Sequence, residues 1–129
     1  MSYSEKLTVN LNVVDIGQID VLVEQGFYSN RTDFIKSAVR NQLAKHEEVI
    51  ANKVKRDQSV IGALIYNRQD LEKYKANNEK LVLKAIGLIV FSKDIDETLI
   101  RETIESISIK GILKMDKQLE SKISDLIQR

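Results

Sequence analysis

Three glycines, Gly62, Gly87 and Gly111, recur after 25 and then 24 residues, and the chain around each repeats with them. Two positions on stand Leu64, Ile89 and Leu113; four on, Tyr66, Phe91 and Met115. Five on come Asn67, Ser92 and Asp116, residue types favoured as helix N-caps. Leu71, Ile95 and Leu119, then Tyr74, Leu99 and Ile123, continue each unit at helical spacing. Three strand-helix units are therefore predicted, over about residues 59–81, 82–106 and 107–129. Such units in series connect by right-handed crossovers into a small parallel β-sheet.

The faces of these units predict how they assemble. Residues 60–66 and 82–91 are apolar on both faces, as in interior strands of parallel sheets. Residues 107–115 alternate, with Ser108, Lys110 and Lys114 outward, and are expected as the exposed edge or a solvent-facing strand. The helices of one short array cover a single sheet face. Burying an aliphatic side chain is worth roughly 1.5–3 kcal/mol, so the other face should drive self-association into a dimer or tetramer.

The first third of the chain has a different pattern. In Lys6-Leu7-Thr8-Val9-Asn10-Leu11-Asn12, strand alternation places Leu7, Val9 and Leu11 on one side. Lys6, Thr8, Asn10 and Asn12 fall on the other. Asp15, with Gln18 three residues on and Val14 and Ile19 as a hydrophobic staple, predicts the start of a helix carrying Ile16, Ile19, Leu22 and Val23. Gly26 suits its left-handed stop. Ser29 or Asn30 caps a second helix, with Asp33 in its first turn and Phe34, Ile35, Ala38, Val39 and Leu43 as its apolar face. A single strand before two helices leaves its backbone groups unpaired, so it is expected to pair with its twin in a second copy.

Residues 6–43 resemble the ribbon-helix-helix DNA-binding fold of the Arc, MetJ and CopG repressors, closest to CopG-like regulators and the DNA-binding half of the nickel-responsive regulators. The resemblance rests on the strand above, on Ile16, Ile19, Asp20, Leu22 and Gly26, and on Ser29-Asn30-Arg31-Thr32-Asp33-Phe34-Ile35 with Ala38-Val39-Arg40. It implies an antiparallel two-stranded ribbon, formed between two chains and laid in the DNA major groove. Lys6, Thr8 and Asn10 would then read base edges. Ser29, Asn30 and Arg31 would hold a backbone phosphate at the N-terminus of the second helix. In the nickel-responsive relatives the C-terminal part supplies His and Cys metal ligands. This chain has one His and no Cys, so that property does not carry over.

Composition narrows the rest. Residues 1–46 hold five basic side chains (Lys6, Arg31, Lys36, Arg40, Lys45) against five acids (Glu5, Asp15, Asp20, Glu24, Asp33), so the module is formally neutral. Affinity for phosphate must come from charge placement, helix dipoles and joined modules. Without Cys, disulfides and thiolate chemistry are excluded. His46 beside Glu47 reads as a solvated helix end, and Asp94, Asp96 and Glu97 as the favoured acids of a helix N-terminus. No phosphate loop, nucleophile elbow or paired catalytic carboxylates stand out, so no enzyme, metal or cofactor is expected. No apolar run reaches membrane-spanning length and the first residues do not read as a signal peptide, which predicts a cytoplasmic protein without membrane contact. Residues 1–5 are expected to form a mobile arm that orders on DNA.

The expectation is an α+β chain with three parts. Residues 1–46 form a ribbon-helix-helix DNA-binding and dimerisation domain, and residues 47–58 a helical connector. Residues 59–129 form three strand-helix repeats for oligomerisation. In the connector, Lys53, Lys55 and Arg56 form a solvated face that could also touch DNA flanks. The expected function is a sequence-specific transcriptional repressor whose partners are double-stranded DNA and further copies of itself. Two other readings fit: a plasmid partition or antitoxin-type adaptor with a protein partner, and a structural self-assembly protein.

Overall fold

The structure is a computed structural model and describes residues 3–129; Met1 and Ser2 of the expected N-terminal arm lie outside the described residues. The chain divides into two compact units, one ending at Glu48 and one running from Val49 to Arg129.

In the first unit, residues 3–12 belong to no strand within the single chain, and two helices follow, α1 (Val13–Glu24) and α2 (Arg31–Lys45). Helix α1 starts earlier than Asp15 and Gln18 suggested. Asn12, expected on the outer side of the strand, is the N-cap and accepts from the Val14 amide at 2.8 Å. Its side-chain oxygen reaches the open amides one turn before Asp15 could. The stop at Gly26 has the expected form. Gly26 lies at φ +88°, its amide donates to Val23 O, and Phe27 N–H donates to Leu22 O at 3.0 Å. This is the paired bond pattern of a left-handed helix stop. Asn30 caps α2, accepting from the Asp33 amide at 2.8 Å. Helix α3 (Glu47–Asp57) lies within the residues expected as a helical connector, and His46 interrupts the continuity with α2.

The second unit is a two-layer array. Strands β1 (Val60–Tyr66), β2 (Leu81–Phe91), β3 (Ile104–Lys114) and β4 (Ile127–Gln128) form one parallel sheet in sequence order. Helices α4 (Arg68–Ala76), α5 (Glu97–Thr103) and α6 (Lys117–Lys122) and a short 3-10 turn (Ser124–Leu126) make the crossovers. Leu83, Ala85, Ile89, Phe91, Ile107, Ile109 and Leu113 pack with Leu71, Leu99, Ile100, Leu119 and Ile123 into one core. Alternation then puts Ile61, Ile65, Val82, Ile86, Leu88, Val90 and Ile112 on the opposite sheet face. There Ile61, Ile65, Val82 and Ile112 are exposed and Leu88 is buried.

The glycine spacing has a structural cause. Gly62 pairs with Gly87 and Gly87 with Gly111, so the three form one column across the sheet, each at φ between +125° and +139°. A Cβ on Gly87 would stand 2.3 Å from Gly62 O, and one on Gly111 would stand 2.1 Å from Gly87 O. Each carbonyl occupies the place of the next strand's side chain. Only glycine tolerates both this contact and the mirror-image backbone.

Three expectations for this unit are corrected. Strand β1 is the open edge rather than an interior strand, because no strand stacks before the first repeat; Ile61 and Ile65 are 62% and 53% exposed. Residues 107–115 belong to a longer β3, which is flanked by β2 and, at Ile107 and Ser108, by β4, so they are not the open edge, although Lys110 and Lys114 are exposed as in a solvent-facing strand. Helix α5 begins after Ser92: the cap is Asp96, accepting from Leu99 N at 2.8 Å, while the Ser92 hydroxyl donates to Asp94 Oδ1. The other two caps, Asn67 and Asp116, stand where the repeat puts them, and Asn67 forms a full capping box with Asp70.

Candidate nucleic-acid interface

Residues 3–12 lead into α1 exposed on both sides. Lys6, Thr8 and Asn10 are open to solvent, and so are the alternating Leu7, Val9 and Leu11, with Leu7 86% exposed. The helices behind them bury little as well. Ile19 is the buried side chain of α1, α2 has none, and Ile35, Val39 and Leu43 on the expected apolar face are exposed. One copy of this unit therefore forms its helices without closing a core over them.

Local contacts hold the turn between the helices. Tyr28 and Phe34 meet edge-on with ring centres 5.0 Å apart, a favourable aromatic geometry. The Ser29 amide donates to Asp33 Oδ2 at 2.9 Å while Asn30 Oδ1 accepts from the Asp33 amide. The first helical bond runs from Phe34 N–H to Asn30 O. Helix geometry then leaves the amides of Arg31 and Thr32 as the first-turn donors without a partner inside the helix. Thr32 is a position that the residue-type reading passed over. Its contribution is a backbone N–H, which side-chain chemistry does not reveal.

Arg31 is anchored as well as exposed. Its Nε donates to Asp20 Oδ1 and its Nη2 to Asp20 Oδ2, both at 2.8 Å, joining α1 to the start of α2. The Arg31 hydrogen bond lowers the Asp20 carboxyl from its ordinary value, against an opposing desolvation and with help from the Arg31 charge. Arg31 rises correspondingly. Two of the five guanidinium N–H groups are used in this way, leaving three on the same planar head.

Two of the connector cations are held locally. Lys53 Nζ bonds Asp57 Oδ2, and Arg56 Nε lies 3.7 Å from Asp57 Oδ1. Their neighbour charges hold the Asp57 carboxyl below its usual range, the Lys53 hydrogen bond contributing most. Among the described residues, no three His, Cys, Asp or Glu side chains converge on a possible metal position. No described helix is long and apolar enough to cross a membrane.

The model of the ribbon-helix-helix transcriptional regulator family matches residues 2–120, nearly the whole chain. The chain belongs to that family. The match runs past the N-terminal unit, through the first two repeats and into the third, so the family includes most of the parallel-sheet region. No curated protein and no solved structure matches the chain.

Proposed function

We propose that this ribbon-helix-helix family member is a sequence-specific DNA-binding repressor. Residues 6–12 of two chains pair antiparallel and enter the major groove as a ribbon, with Lys6, Thr8 and Asn10 facing the bases. Lys donates to guanine O6 and N7, Asn bonds adenine bidentately, and Thr bonds either way or meets a thymine methyl. Leu7, Val9 and Leu11 turn inward onto α1 and α2 of both chains. A backbone phosphate sits at the start of α2, held by Ser29, Asn30, the free N–H groups of Arg31 and the amides of Arg31 and Thr32.

The observation that carries this reading is the open core of the N-terminal unit. Leu7, Val9, Ile35, Val39 and Leu43 are all exposed in one chain, beside a segment whose strand pattern has no partner. A second copy supplies both the missing strand and the missing core wall. Division of labour follows the expected parts: residues 1–46 dimerise and bind DNA, 47–58 connect, and 59–129 join dimers. With a charge-neutral DNA module, the joined half-sites supply affinity that one dimer lacks. Repression then works by occlusion of the site.

Selection of bound duplexes from a random pool, at two salt concentrations, tests this. Recovery of a palindromic consensus at both concentrations is the expected result. Enrichment without any consensus would sink the assignment of Lys6, Thr8 and Asn10 to base edges.

A further inference from the structure

We propose that the free edge of β1 pairs with β1 of a second copy, antiparallel about Ala63, and so fuses two C-terminal sheets into one. This rests on the C-terminal self-association proposed above and names its surface.

The two ends of the sheet are not alike. At the β3 end, β4 covers Ile107 and Ser108, and Lys110 and Lys114 follow along the strand. A short covering strand and charged side chains are the usual protection of an edge. The β1 end has neither. Its residues are Val-Ile-Gly-Ala-Leu-Ile-Tyr, paired with β2 on one side and, among the described residues, with no strand on the other. A row of unpaired N–H and C=O groups flanked by apolar side chains calls for an extended strand as its partner.

A head-to-tail partner does not fit. Continuing the glycine column would place Gly62 beside the partner's Gly111, an offset of 49 residues. Gln58 and Ser59 would then fall beside the partner's Ile107 and the partner's Ser108, the slot that β4 already fills. That mode would also leave a bare β1 at the end of every chain and grow without closing.

A two-fold pairing fits. The seven residues of β1 centre on Ala63. Ile61 then lies opposite the partner's Ile65, and Ile65 opposite the partner's Ile61. Val60 faces the partner's Tyr66, and Ala63 meets its own copy. No charge meets a charge, and the two most exposed isoleucines of the sheet are covered by each other. A two-fold axis normal to the sheet keeps the helices of both copies on one side.

The chain has no cysteine, so Ala63→Cys in the full-length protein introduces a lone thiol. Directly opposed antiparallel residues have Cα atoms about 4.5–5.5 Å apart, within the span a disulfide bridges. Mild oxidation should convert Ala63→Cys to a covalent dimer. Ile112→Cys, two strands away in the same row, should stay monomeric on a denaturing gel. In sedimentation, Ile61→Lys and Ile65→Glu should each halve the mass of the assembly. The double variant should restore it, since the pairing sets each new ammonium against a new carboxylate. A wild-type assembly larger than a dimer without an Ala63→Cys cross-link would overturn the β1 edge and leave C-terminal self-association standing. A wild type that never exceeds a dimer, again without the cross-link, would overturn both.

Discussion

Asp20 and Arg31 meet through two parallel bonds of 2.8 Å, tying the third turn of α1 to the first residue of α2. The pair fixes the angle at which the start of α2, the proposed phosphate site, follows from α1. Arg31 is thus a brace and, in the proposed complex, also a contact: its fork holds Asp20 while three N–H groups stay available for phosphate.

The pair predicts a pH response. Asp20 is held below its ordinary value, so the brace is complete above about pH 4, the ordinary carboxylate range, and is lost as pH falls through the depressed value. Carboxyl NMR of Asp20 should give a midpoint below that of an unpaired Asp, and Arg31→Ala should bring it back. An Asp20 midpoint unmoved by Arg31→Ala would contradict the brace.

For DNA, the two roles separate by what they change. Asn10→Ala should cost about 1–3 kcal/mol of discrimination at one position of the site while the dimer stays folded. Arg31→Ala should weaken all sequences alike and flatten the salt dependence. Competition binding with single-position operator variants measures the first, and a salt series on operator and random duplexes the second. An Asn10→Ala protein with wild-type preference would reverse the proposed strand face.

The glycine column predicts an order of severity. Gly62→Ala meets no atom within 4 Å, so it carries only the conformational cost, about 1–3 kcal/mol. Gly87→Ala and Gly111→Ala carry that cost and a backbone collision at 2.3 and 2.1 Å. Urea unfolding should rank Gly62→Ala mildest. Equal losses at all three positions would mean that the carbonyl contact contributes nothing.

Gln58 is a site for stabilisation. It ends α3 in the left-handed region at φ +54°, with Ser59 N–H donating to Val54 O at 3.1 Å, the role that Gly26 fills for α1. A side chain there costs about 1 kcal/mol, so Gln58→Gly should raise the midpoint of thermal unfolding. A lowered midpoint would show that the Gln58 side chain contributes more than its backbone costs.

What could be read from the chain was whatever short-range chemistry decides. The caps Asn67 and Asp116 and the stop at Gly26 act within a few residues, so local pattern announces them, and the even spacing of Gly62, Gly87 and Gly111 announces that a unit repeats. The alternation of Lys6, Thr8 and Asn10 with Leu7, Val9 and Leu11 is equally local, yet residues 3–12 belong to no strand within the single chain. Side-chain type alone misjudged the ends. Ser92 has the residue type of a cap, yet Asp96 holds that position, and Asn12 fits a strand pattern, yet its oxygen meets the Val14 amide. Only the tertiary structure decided which strand stands bare. The apolar sequence of β1 suits an interior strand, yet stacking order leaves it at the edge, while β4 folds back to cover part of β3. The Asp20–Arg31 brace, across 11 residues, and the carbonyl-against-glycine column likewise depend on which elements become neighbours, a matter of chain geometry that local pattern does not encode.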